Sequence, residues 1–220
     1  MLYRVVTKKK GMSSVELSTE VGVQQMTAWK FRLKIRDAMT QIEPKTLVGN
    51  VDVDETLVGG YSAGCPGRSL EEKTAVLIAI ENLDEDKTGN IRMKVIKNFT
   101  ADVLKDALDE TVSKDAKIRA DKYPSYKAIN NRGGDIEQVL SNKGQSMVKL
   151  HNQILNFKLW LRGIHHKCTE NYLQTYLDEH CYRFNRRNKR HLLFDNIVFR
   201  FMAAKPKTYN DLMVRCEHNT

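Results

Sequence analysis

Three polar residues have the types and spacing that hold a divalent metal ion: Asp54, Asp121 and Asn156. Asp54 lies in Gly49-Asn50-Val51-Asp52-Val53-Asp54-Glu55-Thr56-Leu57-Val58-Gly59-Gly60, which reads as a strand broken by its two glycines. Val51, Val53 and Leu57 have the β-favouring character of a buried strand, and Asp52 and Asp54 alternate with the valines onto the opposite face. Carboxylates on an otherwise buried strand are costly unless something pairs with them, and a metal ion is one such partner. Asp121 ends a later apolar run, Ala116 to Ala120, and Asn156 follows 35 residues on. It sits in a helical pattern where Asn152, Asn156 and Trp160 share one face. Mg²⁺ takes hard oxygen ligands and keeps several waters, so two carboxylates and one amide oxygen can suffice. Two such ions about 4 Å apart stabilise the attacking and leaving oxygens of an in-line phosphoryl transfer. On residue types alone Asp52 competes with Asp54, and Asn156 also reads as an ordinary exposed helix residue.

The elements between these residues must bring them together. After the opening strand comes a polar loop, Tyr61 to Glu72, with Arg68. Strands follow at Thr74 to Ile80 and Ile91 to Phe99, separated by a turn over Asp84 to Asn90. Thr100 caps a helix to about Val112, and the strand ending at Asp121 comes next. Tyr123-Pro124-Ser125-Tyr126 turns into a short helix, Asn130 to Gly134 is a loop, and Ile136 to Leu140 is a fifth strand. From about Ser146 the pattern is helical, with a break near Gly163. A three-strand meander followed by alternation predicts an α/β fold with a mixed five-stranded sheet flanked by helices. If the first and fourth strands are neighbours, Asp54 and Asp121 converge, and the helix after the fifth strand can carry Asn156 over the same edge. Lys158 and Arg162, four apart on another face of that helix, suit phosphates.

The first 45 residues are different. Ser13 with Glu16 makes a capping-box pattern, Gly22 offers a turn, and Gln24 to Met39 reads as a longer helix. These are helix-turn-helix dimensions, and Gln24, Gln25, Thr27 and Lys30 fall where base-contacting side chains are expected. Arg186-Arg187-Asn188-Lys189-Arg190 is a basic patch suited to a DNA backbone. A net charge of +9 on 220 residues favours a polyanion partner, nucleic acid first. No apolar run reaches membrane-spanning length, and no secretory signal opens the chain. Cys65, Cys168, Cys181 and Cys216 are scattered, which fits free thiols in a reducing cytoplasm better than disulfides or structural zinc. His165-His166 reads as a helix end near the C-terminal dipole, with metal ligation or phosphate positioning as the competing role. Glu55 and Glu179 read as salt-bridge partners, and Trp29 and Trp160 as core residues.

Taken together, these motifs resemble the DDE-type transposases of bacterial insertion sequences, in the branch whose third catalytic residue varies among Glu, Asn and His. Gly11 to Leu17, Thr27-Ala28-Trp29 and Ile35 to Met39 resemble that family's helix-turn-helix. Val53 to Gly60 resembles its first aspartate motif and Ala120 to Tyr126 its second. Asn156 to His166 resembles its third motif, and Leu173 to Arg187 its C-terminal signature. The resemblance implies an RNase H-like core at 46–205, preceded by a helix-turn-helix DNA-binding region at 1–45 and followed by a tail at 206–220. It implies cleavage and strand transfer of double-stranded DNA at element ends, with Mg²⁺ or Mn²⁺, two ions, held by Asp54, Asp121 and Asn156. It further implies a homodimer or larger assembly on DNA, with no membrane, in the cytoplasm at the nucleoid. Position within the motif favours Asp54 over Asp52. The family's N-terminal zinc ribbon has no counterpart here, which is the expectation for a truncated or split copy. The alternative is a helix-turn-helix DNA-binding protein, or a decayed copy, without catalysis.

Overall fold

The computed structural model describes residues 1–40, 46–59, 73–84, 87–129, 136–140, 146–165 and 168–211. The predicted loops at 61–72 and 130–134, together with Gly60, His166, Cys65, Cys216 and the end of the tail, lie outside them. The chain divides into two compact units, Glu43–Lys158 and Met1–Ile42 with Leu159–Thr220.

The first of these units is built on a mixed sheet. Its strands are β1 (Asn50–Gly59), β2 (Lys73–Asn82), β3 (Thr88–Ile96), β4 (Lys117–Asp121) and β5 (Ile136–Val139). They lie in the order β3-β2-β1-β4-β5. The meander β1–β3 is antiparallel, while β4 joins β1 and β5 joins β4 in parallel. This is the RNase H-like arrangement that the motifs imply, with the first and fourth strands adjacent. The start of β3 differs from the sequence reading. Thr88 to Asn90 belong to β3 rather than to the turn before it, and Glu81 accepts the Asn90 amide at 2.7 Å.

Alternation along β1 separates the two faces. Val51 and Val53 are fully buried with Ala75, Leu77, Ala79, Ile118 and Ala120. They pack under Leu104, Ala107 and Leu108 of helix α4 (Ala101–Thr111) and Tyr126 of α5 (Pro124–Ala128). Each valine, leucine or isoleucine among them contributes about 1.5–3 kcal/mol by leaving water. Thr100 stands at the N-cap of α4, but its hydroxyl donates to Asn98 at 2.7 Å rather than closing the helix end. Asp52 and Asp54 occupy the other face, in register with Ile80 and Ile78 of β2. Helix α6 (Val148–His165) comes to that face and runs unbroken through Gly163.

The second unit is helical. An N-terminal helix not anticipated from the sequence, α1 (Leu2–Thr7), precedes α2 (Ser14–Val21) and α3 (Gln25–Met39). The Ser13 hydroxyl accepts the Glu16 amide at 3.0 Å. The Glu16 carboxylate turns to Lys8 instead of completing a capping box. Gly22 ends α2 at φ 69°, a left-handed conformation that glycine adopts without strain. These helices share one core with α7 (Glu170–Asn185) and α8 (Leu193–Ala203), through Val5, Met12, Leu17, Ile35, Tyr182 and Ile197. Inside it Glu179, 1% exposed, accepts from Arg36 at 2.8 Å and from Arg183 at 3.0 Å, with Arg32 at 3.8 Å. Burial pushes the Glu179 carboxyl up, but Arg183, Arg36 and Arg32 together hold it well below the usual carboxylate range. Glu179 is thus the structural ion-pair partner that the sequence suggests.

Candidate active site

Parallel pairing of β1 with β4 sets Val51 beside Ile118, Asp52 beside Arg119 and Val53 beside Ala120. One residue further along, each strand carries an aspartate: Asp54 on β1 and Asp121 on β4. The two are held alike. Asp54 Oδ1 accepts the amide of Glu55 at 2.8 Å, and Asp121 Oδ1 accepts that of Lys122 at 2.7 Å. Each carboxylate is therefore oriented by its own backbone, Asp54 midway along β1 and Asp121 at the end of β4.

Asp52 has a separate role. It is 2% exposed and takes both Nε and Nη2 of Arg119 at 2.8 Å, a bidentate pair. The hydrogen bonds that Arg119 donates to Asp52 raise its guanidinium above its ordinary value. Because Asp52 and Arg119 are cross-strand partners, the pair resists a slip of β4 along β1, and such a slip would separate the aspartates. Asp52 is thus a supporting neighbour, not a solvated one. Beside the pair opens a cleft of about 830 Å³ lined by Asn50, Asp52, Lys117, Arg119, Glu137 and Lys149.

Helix α6 meets Asp54 through a residue the sequence reading did not single out. His151 Nε2 lies 3.3 Å from Asp54 Oδ2. Leu150, Ile154 and Phe157 form the buried stripe of α6. At about 100° per residue, Asn156 is about 100–160° around the helix from each of them, and it is exposed, as is Asn152. His151 stands on the flank of the stripe. Counting from the buried stripe, rather than from one asparagine to the next, is the signal that would have found it. Lys158 is two turns on from His151 and on its side of the helix.

A hard divalent cation suits this donor set in kind: two carboxylates just past the last paired residues of β1 and β4, with an imidazole beside one of them. Among the described residues, no three His, Cys, Asp or Glu side chains are gathered tightly enough to hold an ion unaided. Water or phosphate oxygens would complete the shell, which Mg²⁺ in any case prefers.

The model of the family described as ISXO2-like transposase domain matches residues 46–185, from just before β1 to the end of α7. The chain belongs to that family. Its function is that of an insertion-sequence transposase, a DDE-type enzyme of DNA transposition. The family match covers Asp54, Asp121, His151 and Asn156 and leaves the first 45 residues outside it. No curated protein matches this transposase. Among solved structures, a chain of a pre-cleavage Mos1 transpososome is similar at 10% identity and a TM-score of 0.40, over 94% of this chain and 79% of that one.

The DNA-contact candidates of this transposase are spread over several elements. Gln24, at the N-cap of α3, and Gln25, Thr27 and Lys30 on its first turns are all exposed. Arg162 is exposed on α6, and Arg190 is exposed in the 3₁₀ helix Arg187–Leu192. Arg186 and Arg187 are half-buried, stacked over Tyr182 and Phe184 at 4.1 Å and donating to the carbonyls of those same residues. His165 closes α6 against the rings of Trp160 and Tyr176, where burial, then Arg36 and Arg32, pull its pKa down to about 3. Trp160 is held in place by a 2.8 Å bond to the Lys10 carbonyl, and Trp29 packs edge-on to Tyr172. Among the described residues Cys168 and Cys181 are in no disulfide. No described helix is long and apolar enough to cross a membrane.

Proposed function

We propose that this transposase cleaves double-stranded DNA at element ends and joins it to a target, with Asp54 and Asp121 as the metal-holding carboxylates. The observation that carries the reading is their placement one step past the last paired residues of two adjacent parallel strands. Each is oriented before any ligand arrives, so little reorganisation accompanies binding. Helix α6 supplies the third donor; the motif names Asn156 for it, and His151 is the α6 side chain beside Asp54. Mg²⁺ or Mn²⁺, two ions, would stabilise charge on the attacking and leaving oxygens. The Asp52–Arg119 pair keeps the carboxylates in register. Lys158, Arg162, Arg186, Arg187 and Arg190 contribute cations for the DNA backbone. Residues 1–45 act as the DNA-reading region through Gln24, Gln25, Thr27 and Lys30, residues 46–205 as the catalytic domain and 206–220 as a tail. The working form is a homodimer or larger on paired DNA ends.

The test is incubation of the purified chain with Mg²⁺ and a labelled element end. The parent should nick and join the DNA, and Asp54→Ala and Asp121→Ala should do neither while still binding it. Undiminished cleavage by Asp121→Ala would sink the assignment. Binding without cleavage by the parent would leave a helix-turn-helix DNA-binding protein.

A further inference from the structure

Helix α6 presents an imidazole to Asp54. We infer that His151 is a nitrogen ligand of the metal site and that the site therefore favours first-row transition ions over Mg²⁺. This rests on the reading of Asp54 and Asp121 as metal-holding carboxylates.

Three observations carry it. His151 Nε2 is 3.3 Å from Asp54 Oδ2. Two donors at right angles on an ion about 2.2 Å away stand about 3.1 Å apart, so the observed spacing is that of two groups that can share one ion. The site is also accessible yet sheltered, since the side chains of His151 and Asp54 are 29% and 16% exposed. Finally, rotation about α6 sets Asn156 about 140° from His151, on the exposed side of the helix. A side chain there does not reach the ion that Asp54 holds unless the helix turns. The buried Leu150 and Phe157, both 0% exposed, fix the helix against such a turn.

Replacing a neutral oxygen donor by imidazole changes metal preference. Imidazole nitrogen suits later first-row ions, and affinity at a mixed nitrogen–oxygen site rises along that series, whereas Mg²⁺ gains little from nitrogen. The chain's own donors thus bias the choice of ion toward Mn²⁺ and beyond. The 3.3 Å contact is equally the geometry of a simple hydrogen bond between imidazole and carboxylate, and a spectroscopic experiment separates the two.

That experiment is pulsed EPR of Mn²⁺ bound to the full chain, with Mn²⁺ affinity measured alongside by calorimetry. The expected result is a ¹⁴N modulation that changes when the protein is grown with ¹⁵N-histidine and disappears in His151→Ala. His151→Ala should weaken Mn²⁺ binding on the order of tenfold or more. Mg²⁺ binding should change much less, and Asn156→Ala should leave signal and affinity intact. Bound Mn²⁺ with no nitrogen modulation, in a chain whose Asp121→Ala variant loses the ion, would overturn the His151 assignment alone. Equal Mn²⁺ binding by the parent and Asp121→Ala would overturn the metal site itself, and His151 with it.

Discussion

Cutting the Asp52–Arg119 pair tests whether strand register underlies the active site. Arg119→Leu leaves Asp52, 2% exposed, without its bidentate partner. Removing one member of a fully buried pair costs about 3–5 kcal/mol. The Arg119 side chain is 41% exposed, so water replaces part of what is lost, and a cost of about 2 kcal/mol is expected. Asp52→Asn keeps the shape and one acceptor, and should cost about 1–2 kcal/mol. The double variant Asp52→Asn/Arg119→Leu removes the stranded charge, so it should cost less than the sum of the singles by about 1–2 kcal/mol. Urea unfolding measures all three, and a loss of 2 kcal/mol corresponds to a fall in Tm of about 4–8 °C. Each single change should also weaken Mn²⁺ binding measured by calorimetry, through looser alignment of Asp54 with Asp121. Coupling below about 0.3 kcal/mol, or Mn²⁺ affinity equal to the parent's in Arg119→Leu, would refute the register argument.

The helical unit carries the other predictions. Glu179→Gln strands Arg32, Arg36 and Arg183 around a neutral group and should cost about 3–5 kcal/mol in urea unfolding, whereas a loss under 1 kcal/mol would show that water already satisfies the arginines. Stability should fall on acidification below about pH 6.5. His165 and His180 are held neutral when folded, at about 3 and about 4, so the unfolded chain takes up protons first, at up to about 1.4 kcal/mol per pH unit for each histidine. The Glu179 contribution is present above its unfolded value of 4.5 and drains below it, steepening the loss, so a flat profile between pH 7 and 4 would contradict both. On α3, Lys30→Ala should lower the salt dependence of DNA binding by about one counterion, while Gln25→Ala should blunt sequence preference instead. Fluorescence anisotropy at several salt concentrations reads both.

Much of this was legible because it is local. The alternation of Val51 and Val53 with Asp52 and Asp54 depends only on the two-residue period of a strand, and it predicted which residues face the core and which the site. Ser13 and Gly22 bound α2 through bonds within a few residues of each other, so the short helix and the turn after it could be read before any tertiary contact was known. The strand and helix order after residue 50 was enough to expect a mixed sheet, and the fold then set β1 beside β4. Errors came where the deciding contact was distant. Thr88 to Asn90 read as a turn because nothing nearby says that Glu81 on the neighbouring strand takes the Asn90 amide. Helix α1 was missed because its short segment gains helical stability only by burying Val5 and Val6 among residues far along the chain.

By itself, then, the sequence determined the periods, the helix ends and the placing of Asp54 and Asp121 on apolar strands, since each follows from the steric and hydrogen-bonding preferences of residues close in the chain. The tertiary structure alone decided which partner each charge has. Asp52 meets Arg119 across 67 residues and Glu179 meets Arg36 across 143, distances over which no local pattern constrains the pairing. It also decided that His151 is a side chain of α6 against Asp54. A helix has a fixed angular repeat but no intrinsic rotation. Only the burial of Leu150, Ile154 and Phe157 sets which of its flanks meets the carboxylate.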